Sequence, residues 1–106
     1  MLSHNISRAL HYIETNLNQR ITVEEIADHF GYTRESFSTK FKKEIGISVA
    51  KYIEKLKMKE AERLLLTTSY SSARISRKLR YSSNSHFISV FSRTHDGMTP
   101  KEYKKK

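Results

Sequence analysis

Two short polar stretches, Thr33-Arg34-Glu35-Ser36 and Ser82-Ser83-Asn84-Ser85, each run into a pair of phenylalanines four residues apart. Phe37 and Phe41 follow the first, Phe87 and Phe91 the second. Hydroxyls, an amide, a guanidinium and a carboxylate at the start of a helix do non-covalent chemistry. Together with the open N–H groups of the first turn, they can bond phosphate oxygens and base edges. Covalent catalysis finds little here. The chain has no cysteine, hence no thiolate nucleophile, no disulfide and no thiolate metal site. It has no glycine-rich loop to cradle a phosphate. His4, His11, His29, His86 and His95 show no close metal-ligand spacing and read as surface or partly packed imidazoles. No enzyme activity, metal or other cofactor is expected.

Charge narrows the class of partner. Twenty Lys and Arg against eleven Asp and Glu leave a formal charge of +9. Such an excess favours a polyanion, because neutralising phosphates releases condensed counterions. The 106 residues suit one domain, or two very small ones sharing a core, and the 37 % apolar content suffices for a small helical protein. No apolar run approaches the roughly 20 residues needed to cross a bilayer, so no membrane span is expected. The first ten residues lack the pattern of a secretory signal, and a cytoplasmic location is expected.

Stepping outward from the polar stretches, three glycines and one proline are the only strong breaks, and apolar residues recur three and four apart. The spacing predicts an all-α chain of about seven helices. Ile6, Ala9, Leu10, Ile13 and Leu17 mark the first, which fades over Asn16-Leu17-Asn18-Gln19-Arg20. Thr22 opens the second with a capping box to Glu25, and Gly31 ends it. Thr33 caps the third, which Gly46 closes. Ser48 opens a long fourth helix from Val49 to Leu66, about 27 Å long at 1.5 Å per residue. Tyr52, Ile53, Leu56, Ala61, Leu64 and Leu65 form its buried side, with Lys57 on the wet side. The fifth covers roughly 73–79 and the sixth 83–93. Thr99-Pro100 starts a last short one.

The two halves of this pattern repeat. Ile26-Ala27, Phe30-Gly31-Tyr32, Phe37, Phe41 and Gly46…Tyr52 correspond in order to Ile75-Ser76, Leu79-Arg80-Tyr81, Phe87, Phe91 and Gly97…Tyr103. One residue is inserted before Phe87 and another before Gly97. In this register Ser82-Ser83-Asn84-Ser85 takes the place of Thr33-Arg34-Glu35-Ser36. Each half is therefore a helix, a tight turn and a second helix with a polar outer face, which is helix-turn-helix geometry. The expected organisation is a first helix-turn-helix subdomain over 1–47, a linker helix over 48–68 and a second subdomain over 69–106, together one DNA-binding domain.

From about Ile6 to Tyr103 the chain resembles the DNA-binding domain of the AraC/XylS family of bacterial transcription regulators. The resemblance rests on Ile75…Tyr81…Phe87…Phe91…Gly97-x-Thr99-Pro100-x-x-Tyr103 and on the linker Tyr52-Ile53-x-x-Leu56-Lys57-x-x-x-Ala61-x-x-Leu64-Leu65. Lys57 stands where the family usually carries Arg. The resemblance implies a sequence-specific transcription factor whose two recognition helices enter successive major-groove segments of an asymmetric site, about one helical turn or ~34 Å apart. By position in the motif, Glu35, Ser38 and Thr39 of the first unit and Asn84, Ser85, Ile88 and Ser89 of the second would meet base edges. Thr33, Arg34, Lys42, Lys43, Ser82 and Arg93 would meet phosphates, with Lys42 also within reach of the groove. Double-stranded DNA is the implied partner and RNA polymerase a second one. A sensor, receiver or dimerisation domain is expected elsewhere in a longer chain.

Three departures from the family pattern all fall in the second unit. Arg80 replaces the turn glycine, Ser76 replaces a small apolar residue, and Ser92 replaces a basic one. They imply a weaker or more degenerate second half-site. The competing class is a basic helical module that docks an acidic protein or an anionic membrane surface through the linker helix.

Overall fold

The computed structural model describes residues 2–105 and consists of seven helices: α1 (His4–Thr15), α2 (Val23–His29), α3 (Arg34–Ile45), α4 (Val49–Thr67), α5 (Ser72–Lys78), α6 (Asn84–Thr94) and α7 (Pro100–Lys104). The described residues form no strand. The chain divides after Leu56 into two compact units, with α4 running through the division.

Each unit has its own core, and the repeat is visible in both. In the first, Ile6, Ala9 and Ile13 of α1 meet Ile26 and Ala27 of α2, Phe37 and Phe41 of α3 and Val49 of α4. In the second, Met58, Ala61, Leu64 and Leu65 of α4 enclose Ile75, Leu79, Phe87, Val90 and Phe91. Four phenylalanines, Phe37, Phe41, Phe87 and Phe91, are fully buried. Each represents about 2–3 kcal/mol of apolar transfer, so α3 and α6 are each held by an inward-facing phenylalanine pair.

The helix starts follow from local chemistry. Ser3, Thr22, Thr33, Ser71, Ser83 and Thr99 sit in extended backbone, and each side-chain oxygen accepts an N–H of the following turn. Such a cap contributes about 1 kcal/mol. The box expected at Thr22 is half made there, where Oγ1 takes the Glu25 amide at 3.1 Å. The full reciprocal box is at Thr99, whose amide donates to Glu102 and whose hydroxyl accepts from the Glu102 amide.

α1 stops at Thr15, where its sequence pattern fades, and the Asn16 side-chain amide turns back to donate to the Tyr12 carbonyl at 2.7 Å. Leu17 still packs on the first core from outside the helix. Later boundaries differ from expectation. In the second unit the cap is Ser83, the counterpart of Thr33, so the inserted residue is Ser82, lying between Tyr81 and the cap. The polar stretches therefore correspond one position later than their similarity suggests. The other insertion is Asp96. It adopts φ +54° and precedes Gly97 at φ +84°, so two left-handed residues close α6 where Gly46 alone closes α3.

On α4, Met58 joins the buried side and Lys57 is half-buried rather than wet. The helix serves two cores in succession: Val49 belongs to the first, and Met58, Ala61, Leu64 and Leu65 to the second.

Candidate nucleic-acid interface

In the first unit, the turn after α2 bends at Gly31, φ +77°, and the Tyr32 amide returns to the Ala27 carbonyl at 2.9 Å. This closes the helix end and delivers Thr33 to the start of α3. Thr33 Oγ1 accepts from the Ser36 amide at 3.1 Å. Its own proton stays available to a phosphate oxygen. With Phe37 and Phe41 buried, Glu35, Thr39, Lys42 and Lys43 are exposed on the outer face, and Ser38 is half-buried at its edge. Arg34 is exposed and paired with Glu24 at 3.0 Å. A pair this open to water contributes little stability and leaves the guanidinium accessible.

The second unit builds the same arrangement from different chemistry. Its turn passes through Arg80 at φ +62°, the position of Gly31, and the Tyr81 amide returns to the Ser76 carbonyl at 3.0 Å. The turn keeps its left-handed shape, at a cost of order 1 kcal/mol for a residue with a Cβ. Ser76 is buried, and its hydroxyl donates to the Ser83 carbonyl at 3.1 Å, joining α5 to the cap of α6. A hydroxyl replaces an apolar group here because it has a main-chain acceptor within reach.

Lys57 of α4 lies 5.0 Å over the Tyr81 ring, and Tyr81 packs in turn on Phe87. Burial pushes the Lys57 ammonium below its ordinary value.

The predicted contact residues of α6 separate into two groups. Ser85, Ser89 and Arg93 are exposed. Ile88 is half-buried and packs against the second core, which leaves only part of it for a thymine methyl. Asn84 is half-buried, and its Oδ1 is enclosed without a hydrogen-bond partner among the described residues. Two-point recognition of adenine would require that amide to turn outward. Ser82 is exposed and bonds His86 Nδ1 at 3.2 Å. His86, on the first turn of α6 and edge-on to Tyr81 at 5.5 Å, is exposed beside these residues. Sequence reasoning passed over it, although it occupies the position of Ser36.

The basic groups also differ between units. α3 carries Arg34, Lys40, Lys42 and Lys43. α6 carries only Arg93, while exposed Arg74, Arg77, Lys78 and Arg80 cluster on α5 and its turn. Among the described residues no group of three or more His, Asp or Glu is placed to hold a metal ion. No helix there is long and apolar enough to cross a membrane.

Two capped helices with buried phenylalanine anchors and polar outer faces, each following a tight left-handed turn, define a DNA-binding domain of the double helix-turn-helix class. Comparison with known proteins agrees. A family model described as a helix-turn-helix domain matches residues 26–106. The xylose operon regulatory protein of Escherichia coli K12 is 34 % identical over 99 residues, covering 93 % of this chain and 25 % of that protein. The transcriptional activator AarP of Providencia stuartii is 32 % identical over 99 residues, covering 93 % of this chain and 73 % of AarP. The C-terminal domain of AraT, a response regulator from Geobacillus stearothermophilus, superposes with a TM-score of 0.92 at 28 % identity, over 98 % of this chain and 86 % of that one. The chain belongs to the AraC/XylS family of transcription regulators and forms its DNA-binding domain. It spans about a quarter of the length of the xylose regulator.

Proposed function

We propose that α3 and α6 are two recognition helices that enter successive major-groove segments of one asymmetric promoter site. The observation that carries this reading is the repeated start of the two helices: an N-cap hydroxyl, an exposed polar first turn and a buried phenylalanine pair behind it. In this reading residues 1–47 and 69–106 act as the two reading subdomains and 48–68 as the linker. Glu35, Ser38 and Thr39 face base edges in the first half-site; Ser85 and Ser89 do so in the second, with Asn84 and the exposed part of Ile88. Thr33, Arg34, Lys42, Lys43, Ser82 and Arg93 hold phosphates, and His86 joins them.

The second half-site is read more loosely. Serine hydroxyls discriminate bases weakly, and the side chains of Asn84 and Ile88 are partly withdrawn. The domain works in the cytoplasm as part of a longer regulator, with RNA polymerase and a sensing or dimerising domain as its protein partners. The names of its relatives, an operon regulator and a transcriptional activator, support a regulatory rather than an enzymatic role. They do not favour a basic module acting mainly on acidic proteins or membranes.

Selection from random duplexes at near-physiological salt tests the proposal. The expected result is an asymmetric motif with two elements about one helical turn apart, the second less constrained. A single element would confine base reading to one unit. Binding with no enriched sequence and a steep loss with salt would reduce the activity to non-specific polyanion affinity. Equal energetic cost of mutations in both elements would overturn the weaker second half-site.

A further inference from the structure

A groove on the first unit takes no part in the interface described above. It has a volume of about 420 Å³ and is formed by α1 and the end of α2, with no residue of α3 in its walls. His4, Arg8 and His11 recur along one face of α1 at helical spacing, away from the buried stripe of Ile6, Ala9 and Ile13. Tyr12, His29 and Phe30 make the opposite side. Tyr12 and His29 stack at 4.6 Å, and Phe30 meets both rings edge-on at 5.9 and 4.8 Å. The Arg8 guanidinium lies 5.5 Å over the Phe30 ring.

Among the described residues the groove is lined by one fixed charge, the Arg8 guanidinium, together with three imidazoles and no carboxylate. The carbonyls at the end of α2, which would repel an anion, are already used: those of Ala27 and Asp28 accept the Phe30, Gly31 and Tyr32 amides. An aromatic floor beneath a planar cation suits a carboxylate next to an apolar side chain. The guanidinium can take the carboxylate with two parallel bonds while the rings cover the apolar group. A second copy of this chain is a poor occupant, because each copy carries +9.

We propose that this groove docks an acidic segment of a partner protein, a carboxylate on Arg8 and a neighbouring apolar side chain over Phe30 and Tyr12. The site adds a protein contact to the DNA-binding reading and uses none of the residues assigned to DNA.

The test uses the 106-residue chain, isotope-labelled, and a synthetic peptide alternating glutamate and leucine, with a glutamine–leucine peptide as control. The expected result is amide shifts confined to α1 and to His29 and Phe30, unchanged by saturating duplex and absent with the control. Arg8→Glu should weaken the peptide at least tenfold and leave duplex affinity within twofold. His11→Glu, at an exposed position, should act in the same direction. Shifts that follow the lysines of α3 and α4, displacement of the peptide by duplex, or no shifts at millimolar peptide would overturn the proposal. So would a tenfold loss of duplex affinity in Arg8→Glu, which would make the groove a phosphate contact. Self-association abolished by Arg8→Glu would assign the groove to a second copy instead.

Discussion

The Ser76 hydroxyl donates to the main-chain carbonyl of Ser83 across the turn of the second unit, at 3.1 Å. Ser76 belongs to α5 and Ser83 caps α6, so this part-buried bond ties the start of α6 to the helix before it. Ser76→Ala is expected to cost about 1 kcal/mol, the usual net worth of such a bond. The urea midpoint should fall with no change in slope. A neutral or stabilising result would show that packing alone places α6.

The turn residues make a matched pair. Gly31 and Arg80 both hold positive φ, +77° and +62°. A Cβ built on Gly31 meets nothing within 4 Å, so Gly31→Ala exposes the backbone penalty alone. It should destabilise the protein by about 1 kcal/mol. Arg80→Gly removes the same strain but frees the unfolded chain and gives up the interaction its side chain makes, so it should gain less stability than Gly31→Ala loses. Denaturation of both variants checks this, and a gain from Arg80→Gly larger than the loss in Gly31→Ala would refute it.

Acid should loosen both units through identifiable carboxylates. The Glu44 carboxyl is held below its ordinary value first by the backbone amide of Ser3, which donates to it at 2.6 Å, and further by Lys40. Glu102 is lowered by the Thr99 backbone amide and then the Thr99 hydroxyl. A carboxyl whose folded value is depressed contributes its stability above the unfolded value, about 4.3 for Glu. That contribution is lost as pH falls through the folded value. Urea midpoints measured from pH 6 down to pH 3 should therefore drop, and the drop should be shallower in Glu44→Gln and in Glu102→Gln. Unchanged slopes in both variants would refute the assignment.

Phosphate and base contacts leave different signatures in binding data. Lys42→Ala or Lys43→Ala should weaken binding to all duplexes alike and lower the salt slope by about 1 each. Thr39→Ala should leave the salt slope unchanged and relax preference at one or two positions of the first half-site. Titrations at several salt concentrations against cognate and scrambled duplexes separate these outcomes.

Much of this domain was legible before folding. The spacing of Ile26, Phe30, Phe37 and Phe41, and its echo in Ile75, Leu79, Phe87 and Phe91, determined an all-helical chain with two helix-turn-helix units. Helical periodicity and capping are local properties, written within a few residues of where they act. Gly31, Gly46 and Thr99-Pro100 announced their turns for the same reason. What depends on distant partners was decided by tertiary structure. Lys57 reads as a solvent-facing lysine until Tyr81 is folded beneath it. Asn84 and Ile88 read as groove-facing until folding withdraws them in part, Ile88 by packing on the second core. Ser82 and Ser83 are equivalent as letters, and only the bond from Ser76 and the packing of Phe87 settle which one caps the helix. The groove along His4, Arg8 and His11 exists only because the end of α2 brings His29 and Phe30 against α1. A sequence sets the chemistry of each side chain, but exposure and pairing depend on residues far along the chain, which meet only when the cores close.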